Sequence, residues 1–518
     1  MTRKVMRKIL LLTVLGVFAF AMCAVQADAA VKMTNSKSLT MTAGTTDTLT
    51  VSTKKLAKPV QWFSSDPQVV SIDKKFGKKK SKLKITAKDK GVCTIKAKAV
   101  YKKNGKLKTK TFKCKITVDF EKPPEPEGLE DLAKDVPWDS SFDCELTGDF
   151  KEAAADFSVR MLQNVIKEDG KVNKSVNTLI SPDSILTALV MAENGMKGET
   201  LAEMEQAVGN GISGSDYNKY MAALNNRVAG SKAVKYQVAN SIWTSEPVEN
   251  IQTDFVEINK TYHNAPFYLT PFNDEAADKI NGWVYYNTDG MIKEIVSKPM
   301  SETMKMLLIN AVLFEGEWLH QFGDPQSGTF HAESGDQNAN MLTEMDTFDY
   351  FELNGGKAFA KPYKDSAYVF VGIEPPKSQS VDEYVASLTG KDFLNAWNSR
   401  AKQSVLIKMP EFKYEYAASL NKPLKTMGMK KAFDPSQADL GGIFKDATDM
   451  YISSVLHKTY IELDKNGTKA AAVTAVIVDK ASAPGPYMEV TLDHPFVYAI
   501  ADAETGLPLF IGVLRNVK

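Results

Sequence analysis

Histidine and cysteine, the residues most often used as bases, nucleophiles and metal ligands, are sparse in this chain. Five histidines stand among 518 residues, none in a nucleophile arrangement, and no G-x-S-x-G elbow is present. The four cysteines, Cys23, Cys93, Cys114 and Cys144, form no C-x-x-C or clustered Cys/His spacing, and there is no H-E-x-x-H. The pattern predicts no enzyme, no metal and no cofactor. One stretch stands out for a different reason: N-G-T-K-A-A-A-V-T-A-V-I-V-D-K-A-S-A-P-G-P, which begins at Asn466. Its alanines favour a helix, its V-T-A-V-I-V run a strand, and its P-G-P end an exposed loop. What such a segment does depends on the elements that hold it.

A chain of 518 residues exceeds one ordinary domain, so two or more are expected. A 43% hydrophobic, 25% charged composition with net charge +1 is that of a soluble globular protein. This balance gives no global case for nucleic-acid binding, although charge is spread unevenly. Arg3, Lys4, Arg7 and Lys8 precede an apolar run, and the small residues Ala27 to Ala29 follow it. That order predicts a secretory signal peptide over residues 1–29; a retained anchor is the alternative, but the run falls short of a membrane span. The mature protein is expected to be secreted, extracellular and soluble. Once Cys23 leaves with the signal, three cysteines permit at most one internal bridge. Cys93 and Cys114 flank the turn K-K-N-G-K, which allows a cross-strand disulfide; buried small side chains are the preferred reading.

Residues 31–120 contain short alternating runs, S-L-T-M-T, T-L-T-V-S, K-L-K-I-T-A and C-T-I-K-A-K-A-V. Turn signals separate them at Gly44, Asp66-Pro67, Gly91 and Asn104-Gly105, which predicts a small all-β sandwich. The segment resembles the group 2 bacterial immunoglobulin-like domains, through Val60 to Asp73, K-I-T-A-K-D-K-G-V-C-T-I and the closing K-C-K-I-T-V. That resemblance implies a stalk or adhesion module and a bacterial source. The lysines of K-K-F-G-K-K-K-S-K offer contact with anionic wall polymers or lipid surfaces. E-K-P-P-E-P-E-G opens a Pro/Glu linker expected over residues 121–144.

Residues 145–518 mix helical and strand patterns. F-K-E-A-A-A-D-F-S-V-R-M-L-Q-N-V-I-K is helical, and S-P-D-S opens two helices broken at Gly195. M-L-L-I-N-A-V-L-F, Y-V-F-V-G-I, S-V-L-I-K-M-P and K-T-Y-I-E-L read as strands, so an α+β domain around a large sheet is expected.

Seven segments in order then resemble the serpin family. They are Asn177 to Leu189, Ile280 to Ile295, Leu308 to Trp318, Met409 to Lys413, Met427 to Ile443, and D-H-P-F-V-Y-A-I with P-L-F-I-G-V-L. The resemblance implies three β-sheets with surrounding helices and an exposed reactive-centre loop. It also implies a monomeric suicide inhibitor of serine proteases, cleaved and trapped as an acyl-enzyme when its loop enters the main sheet. No nucleic-acid partner is implied. Family spacing from Gly467 places the reactive bond at Ala481-Ser482, which suits an elastase-like target; a shifted register at Lys480 suits trypsin-like enzymes. The hinge would be Gly467, Thr468, Lys469, Ala470, Ala471, Ala472, Val473 and Thr474. Alternation puts Thr468, Ala470, Ala472, Thr474, Val476 and Val478 on one face, without proline, as an inserting strand requires. Ser181, Ser184, Asn310 and His457 match the shutter beneath the sheet's opening centre. Trp318, Glu411 and Lys465 match its breach, where exchanged signs predict a reversed salt bridge between Glu411 and Lys465. The alternative function is a non-inhibitory binding or adhesion protein on the same fold.

Overall fold

Alternation builds the first unit of the structure, a computed structural model that divides into residues 1–119 and 120–518. It describes residues 32–34, 37–43, 45–52, 56–67, 69–77, 80–88, 91–119, 124–173, 175–209, 211–229, 234–468 and 486–517. Among the described residues, nine strands follow one another in the first unit. They are β1 (Lys32–Met33), β2 (Ser38–Thr42), β3 (Thr46–Ser52), β4 (Val60–Ser64), β5 (Val70–Ile72), β6 (Phe76–Gly77), β7 (Lys80–Ala87), β8 (Gly91–Lys103) and β9 (Lys106–Asp119). They pair as a four-stranded sheet, β1-β3-β7-β5, and a five-stranded one, β2-β9-β8-β4-β6. In β4, Val60, Trp62 and Ser64 turn inward while Gln61 and Phe63 face water. Leu49, Val51 and Leu83 from one sheet share an apolar cluster with Trp62, Ile95 and Ile116 from the other. The Trp62 indole N–H donates to Ser81 Oγ at 2.8 Å, so its polar tip is satisfied inside that cluster.

Asn104 and Gly105 both have positive φ, +50° and +75°, and close the β8–β9 hairpin in the backbone its twist demands. Gly91, expected in a turn, is instead the first residue of β8; Gly44 lies outside the described residues. Cys93 stands opposite Ile116 and Cys114 opposite Ile95, so the two cysteines are diagonal neighbours. Diagonal positions lie about 7–8 Å apart, beyond the usual Cα range of a disulfide. Both thiols are buried and free, and Cys93 Sγ lies 3.1 Å from Ser64 Oγ. The cross-strand bridge is not formed.

The second unit opens earlier than the expected linker allows. Glu130–Asp131 form β10, an edge strand of the main sheet, and Leu132 N–H donates to Phe267 O at 3.0 Å. Asp131 Oδ1 explains why an acidic stretch folds here: it accepts from Ala133 N–H at 2.9 Å and from Phe267 N–H at 3.0 Å. Ala133 is buried in the main core. The segment to residue 144 is therefore part of this unit, not a linker.

Helix α1 (Gly148–Val172) is capped by Thr147, whose hydroxyl accepts from Phe150 N–H at 3.3 Å. Helix α2 (Pro182–Glu193) begins with proline at its first turn, and all of its residues are buried, which makes it a core helix. Its pattern breaks at Gly195 because a Cβ there would lie 2.0 Å from the Ile443 side chain.

Beside β10, the main sheet holds β12 (Val234–Thr244), β13 (Phe267–Leu269), β14 (Met306–Glu317), β20 (Phe412–Ser419), β21 (Ile452–Asp464) and β22 (Gly467–Thr468). Its order is β10-β13-β12-β14-β22-β21-β20. A second ladder has nine strands: β11 (Thr178–Ile180), β15 (Gln326–Ala332), β16 (Gly335–Leu353), β17 (Gly356–Pro362), β18 (Tyr368–Glu374), β19 (Ala401–Pro410), β23 (Met488–Thr491), β24 (Phe496–Asp502) and β25 (Pro508–Leu514). Two of the three expected sheets are thus joined. The 19-residue β16 pairs with β19 up to Tyr350 and with β17 from Asp349 onward, so one long strand belongs to both. Leu308 and Val312 from β14 share the main core with Leu162 of α1, Leu189 of α2 and Val371 of β18. Among the described residues no helix is long and apolar enough to cross a membrane.

Burial pushes the Cys114 thiol up to about 11 and raises that of Cys144, which is only partly buried. A chain lacking residues 1–29 should therefore show one slowly reacting thiol when native at pH 8. Three should react in denaturant without reductant; only one reacting there would mean that a disulfide exists.

Candidate functional site

The seam between β14 and β21 is closed along only part of its length. The two strands run parallel and pair from Met306 opposite Ile452 to Val312 opposite Thr459. Beyond that point β22 stands between them. Gly467 pairs with Glu317 on one side and Asp464 on the other, and Thr468 pairs with Gly316 and Leu463. The chain leaving β21 therefore turns at Lys465–Asn466 and enters the fork antiparallel to both neighbours. Asp464 shapes the turn, because its Oδ1 accepts from Asn466 N–H at 2.7 Å and Gly467 N–H at 3.2 Å.

Residue 467 has to be glycine. Its φ is +158°, and a Cβ would lie 2.1 Å from Gly316 O and 2.8 Å from Glu317 Cα. Thr468 is buried, and its hydroxyl meets the Tyr363 hydroxyl at 2.6 Å. Tyr363 stacks on Trp318 with ring centroids 4.7 Å apart.

Trp318 holds the turn from the other side. Its backbone N–H donates to Asn466 O and its indole N–H to Asp464 O, both at 3.0 Å. Phe322 N–H donates to Lys465 O at 3.0 Å. Behind this turn lies Lys361, only 1% exposed and paired with Glu344. Its ammonium sits over Phe322 at 4.4 Å, Phe348 at 5.3 Å and Trp318 at 5.5 Å. Ring faces and one carboxylate replace the water that a buried ammonium loses. Burial draws Lys361 below the usual lysine range and lifts Glu344 above the usual carboxylate range.

The expected bridge between Glu411 and Lys465 is not made. The Lys465 ammonium reaches Asp324, an exposed carboxylate, and only the Lys465 backbone N–H approaches Glu411, at 3.4 Å. Glu411 also accepts from Asn340 Nδ2 at 2.9 Å, and desolvation raises its pKa. A half-exposed ammonium loses less hydration beside Asp324 than it would beside a carboxylate whose surroundings already disfavour charge.

Below the fork, the four residues matched to the shutter come together. Asn310 and His457 are directly opposite in the β14–β21 ladder and hydrogen-bonded to each other. Asn310 Nδ2 donates to Ser184 Oγ and, at 2.6 Å, to Asn240 Oδ1. The acceptor role of Asn310 Oδ1 fixes the His457 tautomer: Nδ1 carries the proton, and Nε2 accepts from Ser181 N–H at 3.1 Å. Burial pushes His457 down to about 3, so the ring is neutral. Ser181 Oγ accepts from Ser184 N–H and lies 3.4 Å from Tyr236 OH, which donates to Asp183 Oδ2 at 2.7 Å. Burial pushes Asp183 up to about 6.

Sequence reasoning missed Asn240, Tyr236 and Asp183. The signal for Asn240 was a polar residue in the apolar run V-A-N-S-I-W; nothing in the order of residues marks its partners. Lys469, Ala470, Ala471, Ala472, Val473, Thr474, Lys480, Ala481 and Ser482 lie outside the described residues.

A family model described as serpin (serine protease inhibitor) matches residues 152–517. An uncharacterized serpin-like protein of Thermococcus kodakarensis is 31% identical over 352 residues, 66% of this chain and 81% of the relative. Mouse leukocyte elastase inhibitor A is 28% identical over 352 residues, 65% of this chain and 92% of the relative. The crystal structure of the thermophilic serpin tengpin in its native state is similar with a TM-score of 0.69 and 34% identity, over 75% of this chain and 99% of that one. The fork, the strand entering it and the network beneath it thus lie within a region that a family model and a solved fold both match, and this chain belongs to the serpin family.

Proposed function

We propose that this chain is a secreted bacterial inhibitor of serine proteases that acts as a suicide substrate, with an elastase-like enzyme as its preferred target. The observation that carries this reading is β22. The first two residues of the loop already lie between β14 and β21, and Thr468 faces the core. Side chains alternate along a strand, so this register sends Ala470, Ala472, Thr474, Val476 and Val478 inward if the strand continues. All are small or β-branched, and Lys469 falls on the opposite face.

The chemistry belongs to the protease. Its serine oxygen attacks the Ala481 carbonyl, the Ala481–Ser482 peptide bond breaks, and Ser482 leaves as a protonated amine. The loop, now esterified at Ala481, is free to extend β22 down the seam and carry the enzyme with it. For that, the β14–β21 ladder must part from Val312–Thr459 downward, and Asn310 and His457 must find other partners. Ser181, Ser184 and Asn240 already offer hydroxyl and amide groups at the same point, so the network can exchange partners without orphaning a buried donor. Mouse leukocyte elastase inhibitor A, similar over most of its length, supports the target class. The first unit is an immunoglobulin-like spacer that sets the inhibitor off from a cell surface.

The chain should form detergent- and heat-stable complexes on denaturing gels with an elastase-like protease, releasing a C-terminal peptide that begins at Ser482. A peptide beginning at Ala481, with complexes formed by trypsin-like enzymes, would assign Lys480 instead. Clean cleavage without complex by both classes would leave a non-inhibitory binding protein.

Gly467→Ala should expel β22 from the fork. It should destabilise by about 1–3 kcal/mol, read as a lower thermal midpoint at fixed scan rate, and speed hydrogen exchange at Gly316 and Glu317. Unchanged exchange would mean that β22 is not held there. Thr468→Val leaves the buried Tyr363 hydroxyl without its partner and should cost about 1–2 kcal/mol, whereas adding Tyr363→Phe should recover part of that loss.

Two buried groups in the network below the fork give opposing pH dependences. Folded His457 refuses a proton that the unfolded chain binds below 6.5, so its contribution is whole above 6.5 and is lost as pH falls towards 3. Asp183 keeps a proton up to about 6 that the unfolded chain releases above 3.8, so its contribution is present below 3.8 and is lost as pH rises through 6. Between pH 7 and 5, His457→Gln should lose less thermal midpoint than the parent and Asp183→Asn should lose more. Parallel curves for all three proteins would reject both assignments.

A further inference from the structure

Charge in this chain is segregated. Residues 32–119 carry 23 lysines, no arginine and only five acidic residues, a net of +18. Residues 120–518 carry 37 basic and 57 acidic residues, a net of −20. On the outer face of the five-stranded sheet, Lys96 stands directly opposite Lys113 on one side and Phe63 on the other. Lys98, two residues along the same strand, stands opposite Gln61, which stands opposite Phe76. Two rows therefore cross the strands side by side, about 7 Å apart. Each is basic at its β8–β9 end and aromatic at its β4–β6 end. Like charges directly opposite in a ladder destabilise it. Among the described residues no carboxylate pairs with Lys96, Lys98 or Lys113. Phe63 and Phe76 are 55% and 63% exposed.

We infer that this face binds an acidic polysaccharide, a linear sugar polymer bearing carboxylates, laid along the two rows. Its carboxylates meet the ammoniums of Lys96, Lys98 and Lys113 and relieve their repulsion, and its sugar rings lie on Phe76 beside the Gln61 amide. The geometry selects a thin chain over a flat bilayer. The Lys96 ammonium stands over the Phe63 ring at 5.7 Å, so a planar surface stopped at the ammoniums does not reach that ring. The absence of arginine removes the bidentate group that most often reads bases, which argues against a nucleic acid.

The test uses the full exported chain and immobilised polygalacturonate, with neutral dextran, duplex DNA and phosphatidylglycerol vesicles as comparisons. Polygalacturonate should be bound in a salt-sensitive manner and dextran not at all. Lys96→Glu should weaken binding about tenfold or more. The same change places opposite charges across the ladder, so its thermal midpoint should hold or rise, which separates lost binding from lost folding. Phe76→Ala should weaken binding several-fold while leaving its salt dependence unchanged. Undiminished binding by Lys96→Glu, or tighter binding of DNA or vesicles than of polygalacturonate, would overturn the inference. Neither variant touches the fork in the main sheet, so complex formation with proteases should be unchanged whichever way the binding result falls.

Discussion

Backbone groups inside a sheet must be paired, and between β14 and β21 two different partners pair them. For seven residues, Met306 to Val312, β14 uses β21 itself; at Gly316 and Glu317 it uses the incoming β22. A seam so divided has a fork, and much of the second unit is arranged around it. Above the fork lie residues that hold the entering chain at its turn. Below it lie residues that hold the two long strands together by side chains as well as by backbone. Any shift of the fork would exchange one set of pairings for the other, residue by residue.

The two groups use different physics. Above, Trp318, Phe322 and Phe348 surround a buried lysine, and Trp318 stacks on Tyr363 while binding the turn by two hydrogen bonds. Aromatic packing of this kind holds position without being consumed when the chain beside it advances, because ring faces do not need one fixed partner. Below, Ser181, Ser184, Asn240, Asn310 and His457 are joined by directed hydrogen bonds, and His457 must stay neutral to accept from Ser181. Such a network resists opening strongly at first and can re-form afterwards, since hydroxyls serve as donor or acceptor.

Much of this was legible in the sequence wherever one residue type has a single physical solution. The capped helix at Ser181, the apolar run of β14 and the alternation of C-T-I-K-A-K-A-V in β8 follow from period and propensity, and structure and sequence agree on them. Gly467 was expected as a hinge on conformational grounds; the structure adds that a side chain would strike Gly316 O. Partner choice was not legible. Lys465 went to Asp324 and not Glu411 because relative hydration decided it, and Cys93 is buried and free as preferred, but its contact with Ser64 and its two-residue offset from Cys114 were set by the ladder register. Neither quantity appears in a string of letters. The acidic stretch before α1 failed for a related reason. Asp131 reads as a linker residue until the two backbone N–H groups that it caps are in place.

Thr468 links what is seen at the fork to what the loop must do. A threonine at a buried strand position is an expense unless its hydroxyl is bonded, and here Tyr363 bonds it at 2.6 Å. Were the strand to extend, Thr474 would be the next inward residue with a hydroxyl, with Ala470 and Ala472 between them asking nothing of their surroundings. The inward face of the segment is therefore anchored at its first residue and undemanding for the next two. A chain entering a seam meets its largest resistance where the seam must first part, so alanines at the next two same-face positions after a bonded threonine would place the least steric cost at the point of greatest opposition. The fork is secured by Trp318, Tyr363 and the turn at Asp464, all of which act on the chain at or before Thr468.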